Sequence, residues 1–132
     1  MLIAYYSLAG NVRRFVAKTG LPAVEIKSDL MLTEPFVLVT GTYGFGQVAG
    51  TVWDFLADNG DLMAGVAASG NKTWGSNYAK AADLIAEEYG VPILGKFELA
   101  GTDSDVEAFK QEVSSCTRSE ILSKQDTERR LR

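Results

Sequence analysis

Histidine is absent from this 132-residue chain, and cysteine occurs once, at Cys116. Without imidazole there is no Ser-His or Cys-His pair and no side-chain base matched to neutral pH; with one thiol there is no intrachain disulfide and no thiolate zinc site. Redox or acid–base chemistry near neutral pH would therefore come from a bound cofactor and not from a side chain. Long apolar runs are also missing, since none approaches the roughly 18–20 residues that cross a bilayer. The start, Met1-Leu2-Ile3-Ala4-Tyr5-Tyr6, lacks the basic leader and cleavage pattern of a secretion signal, so no membrane partner and a cytoplasmic location are expected. Positive charge is in deficit, 13 Lys and Arg against 17 Asp and Glu for a net charge of -4, which argues against a nucleic-acid partner.

What is present has the composition of one ordinary globular domain, 46% hydrophobic and 23% charged with 13 glycines. Short apolar runs at 2–6, 23–26, 36–39, 63–68 and 91–94 read as strands buried on both faces. Between most of them lie apolar residues at helical spacing: Val12, Phe15 and Val16; Val52, Trp53 and Leu56; Ala81, Ala82, Ile85, Ala86 and Tyr89; then Val106, Phe109 and Val113. This alternation predicts an α/β fold, a flavodoxin-like three-layer sandwich with a five-stranded doubly wound parallel sheet and right-handed crossovers. Residues 28–34 are too few for a full helix and read as a turn or irregular crossover. A single domain is expected over 1–116, followed at 117–132 by a polar extension with five basic and three acidic residues, expected to be frayed or disordered. The body then carries 8 basic and 14 acidic residues, so the acidity belongs to the domain.

In open parallel sheets ligands bind beyond the carboxyl ends of the strands, which directs attention to the segments after the first, third and fourth strands. The first is Ser7-Leu8-Ala9-Gly10-Asn11-Val12, between a strand and a helix, where free N–H groups and the positive helix end favour a phosphate. The plainer alternative is a helix cap formed by Asn11 or Ser7. The second, Thr40-Gly41-Thr42-Tyr43-Gly44-Phe45-Gly46, has three glycines that permit close backbone approach to a flat ring, and is expected to lead into a helix over 47–57. The third, Ser69-Gly70-Asn71-Lys72-Thr73-Trp74-Gly75, adds N–H donors and an indole suited to ring stacking. Trp53, at helical spacing, reads as core.

Several phosphate chemistries are excluded by inspection. Neither G-x-x-x-x-G-K-[ST] nor a G-x-G-x-x-G after the first strand is present. The spacing from Ser7 to Arg13 matches a small-phosphatase loop, but serine without a base cannot replace the thiolate nucleophile. A receiver domain needs an aspartate at the end of the third strand, where Val39-Thr40-Gly41 stands. What remains is a phosphate cradle with two aromatic, glycine-bearing walls, the shape suited to FMN. Residues 36–53 contain no acid or base apart from Tyr43, and 62–82 only Lys72, Lys80 and the phenol of Tyr78. A surround without negative charge would leave the anionic reduced ring accessible and bring the two one-electron potentials together.

At these loops the chain resembles the NrdI family of flavodoxin-like FMN proteins, from Met1 to about Cys116. The segments that carry the likeness are Gly10-Asn11-Val12 with Arg14-Phe15, Gly44-Phe45-Gly46, Ala68-Ser69-Gly70-Asn71 with Trp74-Gly75, and Lys96-Phe97-Glu98-Leu99 with Gly101-Thr102 and Asp105-Val106. The resemblance implies that reduced FMN reacts with dioxygen to supply superoxide or a related oxidant. The oxidant would serve assembly of the dimanganese-tyrosyl radical cofactor in the radical subunit of a class Ib ribonucleotide reductase, with an unidentified reductant reloading the flavin. Carried over by position, residues 7–12 would hold the phosphate, 40–46 would flank the ring, and Ser69, Gly70, Asn71, Trp74 and Gly75 would close its other side. Gly44 would place its peptide carbonyl at a protonated flavin N5, because glycine tolerates both peptide orientations. The alternatives are a general one-electron carrier and a flavin-free interaction module.

Some positions depart from the family pattern. Ala9 stands where threonine is common, a loss of one hydroxyl worth roughly threefold to tenfold in FMN affinity. Gly41 and Tyr43 replace a tyrosine and a threonine found in some relatives, leaving open which aromatic covers the ring. Arg13 and Arg14 read as a solvated helix face, Cys116 as a structural thiol, and Asp103 or Ser104 as the cap of the last helix.

Overall fold

The computed structural model describes residues 1–44 and 46–116; the expected extension at 117–132, and Phe45, lie outside the described residues. Five parallel strands form one sheet: β1 (Leu2–Tyr6), β2 (Ala23–Glu25), β3 (Phe36–Gly41), β4 (Met63–Gly70) and β5 (Ile93–Glu98), in the order β2-β1-β3-β4-β5. This is the doubly wound order in which the chain reverses direction between β1 and β3, the position where such folds place ligands. The helices are α1 (Asn11–Thr19), α2 (Gly50–Asn59), α3 (Lys80–Tyr89) and α4 (103–116).

β3 is central and buried at every position, which is why its Phe-Val-Leu-Val run shows no alternation in hydrophobicity. Its side chains still alternate between layers. Phe36 and Leu38 join Val52, Phe55, Leu56 and Ile85 of α2 and α3 on one face, whereas Val37 and Val39 join Val12, Phe15 and Val16 of α1 with Phe109 and Val113 of α4 on the other. On that second face Phe15 stacks on Phe97 at 3.8 Å between centroids and meets Phe109 edge-on at 5.3 Å. Truncating so enclosed a ring would cost about 3–5 kcal/mol.

Three boundaries differ from expectation. The helix expected over 47–57 starts at Gly50, because Gln47 pairs with Tyr43 in a tight hairpin: Tyr43 N donates to Gln47 O at 2.9 Å and Gln47 N to Tyr43 O at 2.7 Å. The last strand, expected at 91–94, runs instead from Ile93 to Glu98, since as a sheet edge it keeps Leu94 and Phe97 buried and leaves intervening positions partly solvated. The cap of α4 is Thr102 rather than Asp103 or Ser104. Asp105 N donates to Thr102 Oγ1 at 3.1 Å and Thr102 N to Asp105 Oδ2 at 2.8 Å, a reciprocal pair that satisfies two N–H groups at the helix start.

Residues 28–34 form no helix, as expected of so short a link. The buried Asn59 at the end of α2 organises this crossover. Its Oδ1 accepts from Leu32 N at 2.8 Å, while Nδ2 donates to Leu30 O at 2.8 Å and Phe55 O at 2.9 Å. Cys116 Sγ donates to Ala64 O at 3.1 Å, joining α4 to β4.

Candidate functional site

A cleft of about 180 Å³ opens at the carboxyl edge of the sheet, lined by Ser7, Leu8, Ala9, Asn11, Val12, Gly41, Thr42, Tyr43, Ser69, Gly70, Asn71, Trp74 and Leu99. The segments after β1, β3 and β4 therefore converge. Its first wall is the turn into α1. Ser7 Oγ accepts from Gly10 N at 3.0 Å, which folds the turn back on itself, and Gly10 takes the left-handed conformation at φ 89° that glycine adopts without strain. Neither Ser7 nor Asn11 caps α1: among the described residues no side chain accepts a capping bond at its start, and its first turn contains no acid. The plain-cap alternative is thereby set aside, and the N–H groups that start the helix retain their capacity for an anion. Arg14 lies alongside, its Nη2 donating to Asn11 Oδ1 at 2.5 Å, while Arg13 pairs with Glu25 at 3.1 Å on the surface.

The second wall starts where β3 ends. Thr40 is fully buried in the sheet and outside the cleft lining, its Oγ1 donating to Gly41 O at 3.2 Å. Thr42 Oγ1 accepts from Ala81 N at 3.3 Å and so ties this loop to the start of α3. Tyr43 meets Tyr6 edge-on, with centroids 6.0 Å apart. Burial pushes the Tyr43 phenol above its ordinary pKa, partly offset by backbone hydrogen bonds from Leu8 and Gly41, so it stays protonated at neutral pH. Gly44 and Gly46 form the hairpin beyond, at φ 56° and 89°, and neither lines the cleft. A Cβ on Gly46 would lie 3.2 Å from Asn77 Oδ1 and from Lys80 Cδ, so the hairpin rests on the approach to α3.

The third wall follows β4. Ser69 Oγ donates to Leu99 O at 2.6 Å, and Asn71 Oδ1 accepts from Thr73 N and Thr73 Oγ1 at 2.9 and 2.7 Å, turning the chain into a short 3-10 segment over Lys72–Asn77. Trp74 lines the cleft and is 41% exposed; Gly75, at φ 56° and ψ -122°, breaks the 3-10 segment outside it. Leu99, just past β5 at φ 55°, is the lining residue the sequence reading missed. The carboxyl-edge rule applies equally to β5 and would have found it.

Among the described residues no carboxylate lines the cleft. Glu98, from outside both windows, approaches its rim: its Oε2 accepts from Lys72 N at 2.9 Å, beside Asn71. The described residues also hold no cluster of acids and thiols able to bind a metal ion.

The family model described as NrdI flavodoxin-like matches residues 3–111. The chain belongs to the NrdI flavodoxin-like family. It is similar to Protein NrdI of Bacillus licheniformis, 54% identical over 112 residues that cover 84% of this chain and 86% of that one. Among solved structures it is similar in fold to oxidised Flavodoxin 1 from Bacillus cereus, with a TM-score of 0.63 at 19% identity over 89% of this chain and 96% of that one. It is equally similar to oxidised Flavodoxin 2 from Bacillus cereus, with a TM-score of 0.63 at 22% identity over 89% and 97% of the two chains. The cleft fits the ligand that such a fold suggests: an uncapped helix start at one end suits a phosphate, and a slot with no carboxylate among the described residues suits a ring that becomes negative on reduction.

Proposed function

We propose that this cleft binds FMN and that the loaded protein serves the radical subunit of a class Ib ribonucleotide reductase. The observation that carries the reading is the convergence of three strand-end loops on one cleft whose helix start is uncapped and whose described lining contains no carboxylate.

Residues 7–12 would hold the phosphate through backbone N–H groups, with Ser7 shaping the turn and Asn11, oriented by Arg14, adding an amide. Thr42 and Tyr43 would bound one side of the flavin, and Ser69 to Asn71 with Trp74 the other. Gly44, left-handed at the hairpin, would present its peptide at the ring edge. FMN held there would supply the redox chemistry, reduction of dioxygen to superoxide or a related oxidant for assembling the radical subunit's dimanganese-tyrosyl radical cofactor, with a separate reductant needed to restore it. The protein's own part is to hold the phosphate, orient the ring, and limit negative charge against it.

The test is to mix the photoreduced, FMN-loaded protein with dioxygen and a manganese-loaded class Ib radical subunit and to follow the tyrosyl radical by electron paramagnetic resonance. Radical well above the control lacking this protein is expected. A yield equal to that control would overturn the activator role and leave a one-electron carrier.

A further inference from the structure

Gly41 ends β3 opposite Ser69 of β4, and its φ lies outside the left-handed region, so the backbone imposes no need for glycine there. The need comes from Tyr43. A Cβ built on Gly41 would lie 2.6 Å from Tyr43 Oη, 2.8 Å from Cζ and 3.2 Å from Cε1, so the phenol end occupies the space that a side chain at 41 would fill. Both residues line the cleft, as does Leu8 on the opposing turn. The ring is braced from its other side by the edge-on contact with Tyr6.

We propose that Gly41 and Tyr43 act as one unit, a phenol folded back over a missing side chain that braces the β3 loop against the end of β1 and fixes the width of the flavin slot. Tyr43 is then a positioning residue for the bound flavin, and Gly41 acts only through it. This rests on the FMN reading above, because the slot is the one that reading assigns to the ring. The physical argument is local. Thr42 anchors its loop to α3 and Ser7 fixes the turn after β1, so beyond the last β1–β3 pair, Tyr6 with Thr40, the two walls are braced separately. Tyr43 packs on Tyr6 at the end of β1 as well as over Gly41, and expelling it would free the β3 loop from this brace and let the ring seat loosely. Because the atoms crowding Gly41 are the far end of a side chain, the Cβ of alanine would be accommodated by swinging Tyr43 out, with little damage to β3.

The experiment is a mutant cycle on the full chain with Gly41→Ala, Tyr43→Ala, the double variant, and Tyr43→Phe as the conservative change. The readouts are the FMN dissociation constant from flavin fluorescence, the visible spectrum of bound FMN, and near-UV circular dichroism and Tm without flavin. Gly41→Ala and Tyr43→Ala are each expected to weaken FMN about tenfold and to shift the bound spectrum alike. The double variant should match Tyr43→Ala alone, because once the ring is gone the space is free, and Tyr43→Phe should lose roughly threefold. Independent effects that multiply to about a hundredfold in the double variant, tight binding by Gly41→Ala, or tighter binding by Tyr43→Ala would each overturn the proposal. If the wild-type protein takes up no FMN, the flavin reading and the slot role fall together. The flavin-free circular dichroism and Tm then decide the pairing alone, equal values for Gly41→Ala and wild type overturning that too.

Discussion

Gly70→Ala is the perturbation whose consequence is worked most directly from the packing. Gly70 is the last residue of β4 and lines the cleft, and a Cβ there would lie 2.4 Å from Ala79 N and 2.9 Å from Ala79 Cα. Both obstacles are backbone, at the left-handed residue that leads into α3, with φ 49°. Neither can rotate away, so relief requires α3 to shift by about an ångström from a sheet against which it buries Ala81, Ala82 and Ile85. Overpacking of this kind costs about 1–3 kcal/mol. For a domain of this size that lowers Tm by about 3–15 °C. Gly95→Ala is the matched control: it lies in β5 with nothing within 4 Å of the added methyl, and reduced chain entropy should leave Tm unchanged or raise it. Differential scanning fluorimetry on both variants, without flavin, measures the contrast. Equal Tm values for Gly70→Ala and wild type would refute the argument that close backbone approach dictates glycine at this edge of the cleft.

Asn59→Ala removes three hydrogen bonds in a buried setting and strands Leu32 N and Leu30 O, so a loss of about 2–4 kcal/mol is expected in urea unfolding; a loss below 0.5 kcal/mol on the order of a single surface contact would contradict that role. Gly44→Ala adds a Cβ with room around it, its nearest neighbour being Gln47 Oε1 at 3.7 Å, but places alanine at φ 56°. Its effect should appear in the midpoint potentials of bound FMN, and unchanged potentials would remove Gly44 from the ring edge. The raised pKa of Tyr43 means that the folded state keeps its phenol protonated to higher pH than the unfolded chain does. This contribution is intact below about pH 10 and is lost as pH rises through the folded value. Tyr43→Phe should therefore flatten the fall of Tm above pH 10, whereas an unaltered slope would contradict the burial of the phenol.

The strands that the sequence revealed best are those whose burial is simplest. β1 and β3 open with uninterrupted apolar runs, Leu2 to Tyr6 and Phe36 to Val39, that stop at Ser7 and Thr40, and their starts were legible to the residue. β5 was not, because an edge strand that passes through Gly95, Lys96 and Glu98 buries only Leu94 and Phe97, three residues apart across a register shift that breaks the two-residue period. The start of α2 was misplaced because of a local turn: the backbone of Gln47 is taken by Tyr43, four residues earlier, and is not free to begin the helix. At the cleft, glycine-rich strand ends identified the three walls. Sequence could not show that Gly44, Gly46 and Gly75 shape the loops without lining the cleft, since chain direction after a tight turn depends on dihedral angles and not on composition. The link between Gly41 and Tyr43 was equally invisible, because it depends on where one ring folds.

The central claim is that the three loops together hold an isoalloxazine whose phosphate sits at the start of α1, and parallel titration of the purified protein with FMN and with riboflavin tests it most directly. Quenching of flavin fluorescence at one FMN per chain is expected, with riboflavin weaker by about tenfold or more for want of charge-assisted bonds to residues 7–12. Equal affinity for the two flavins would contradict the assignment of the phosphate to that turn, and uptake of neither would contradict the claim as a whole.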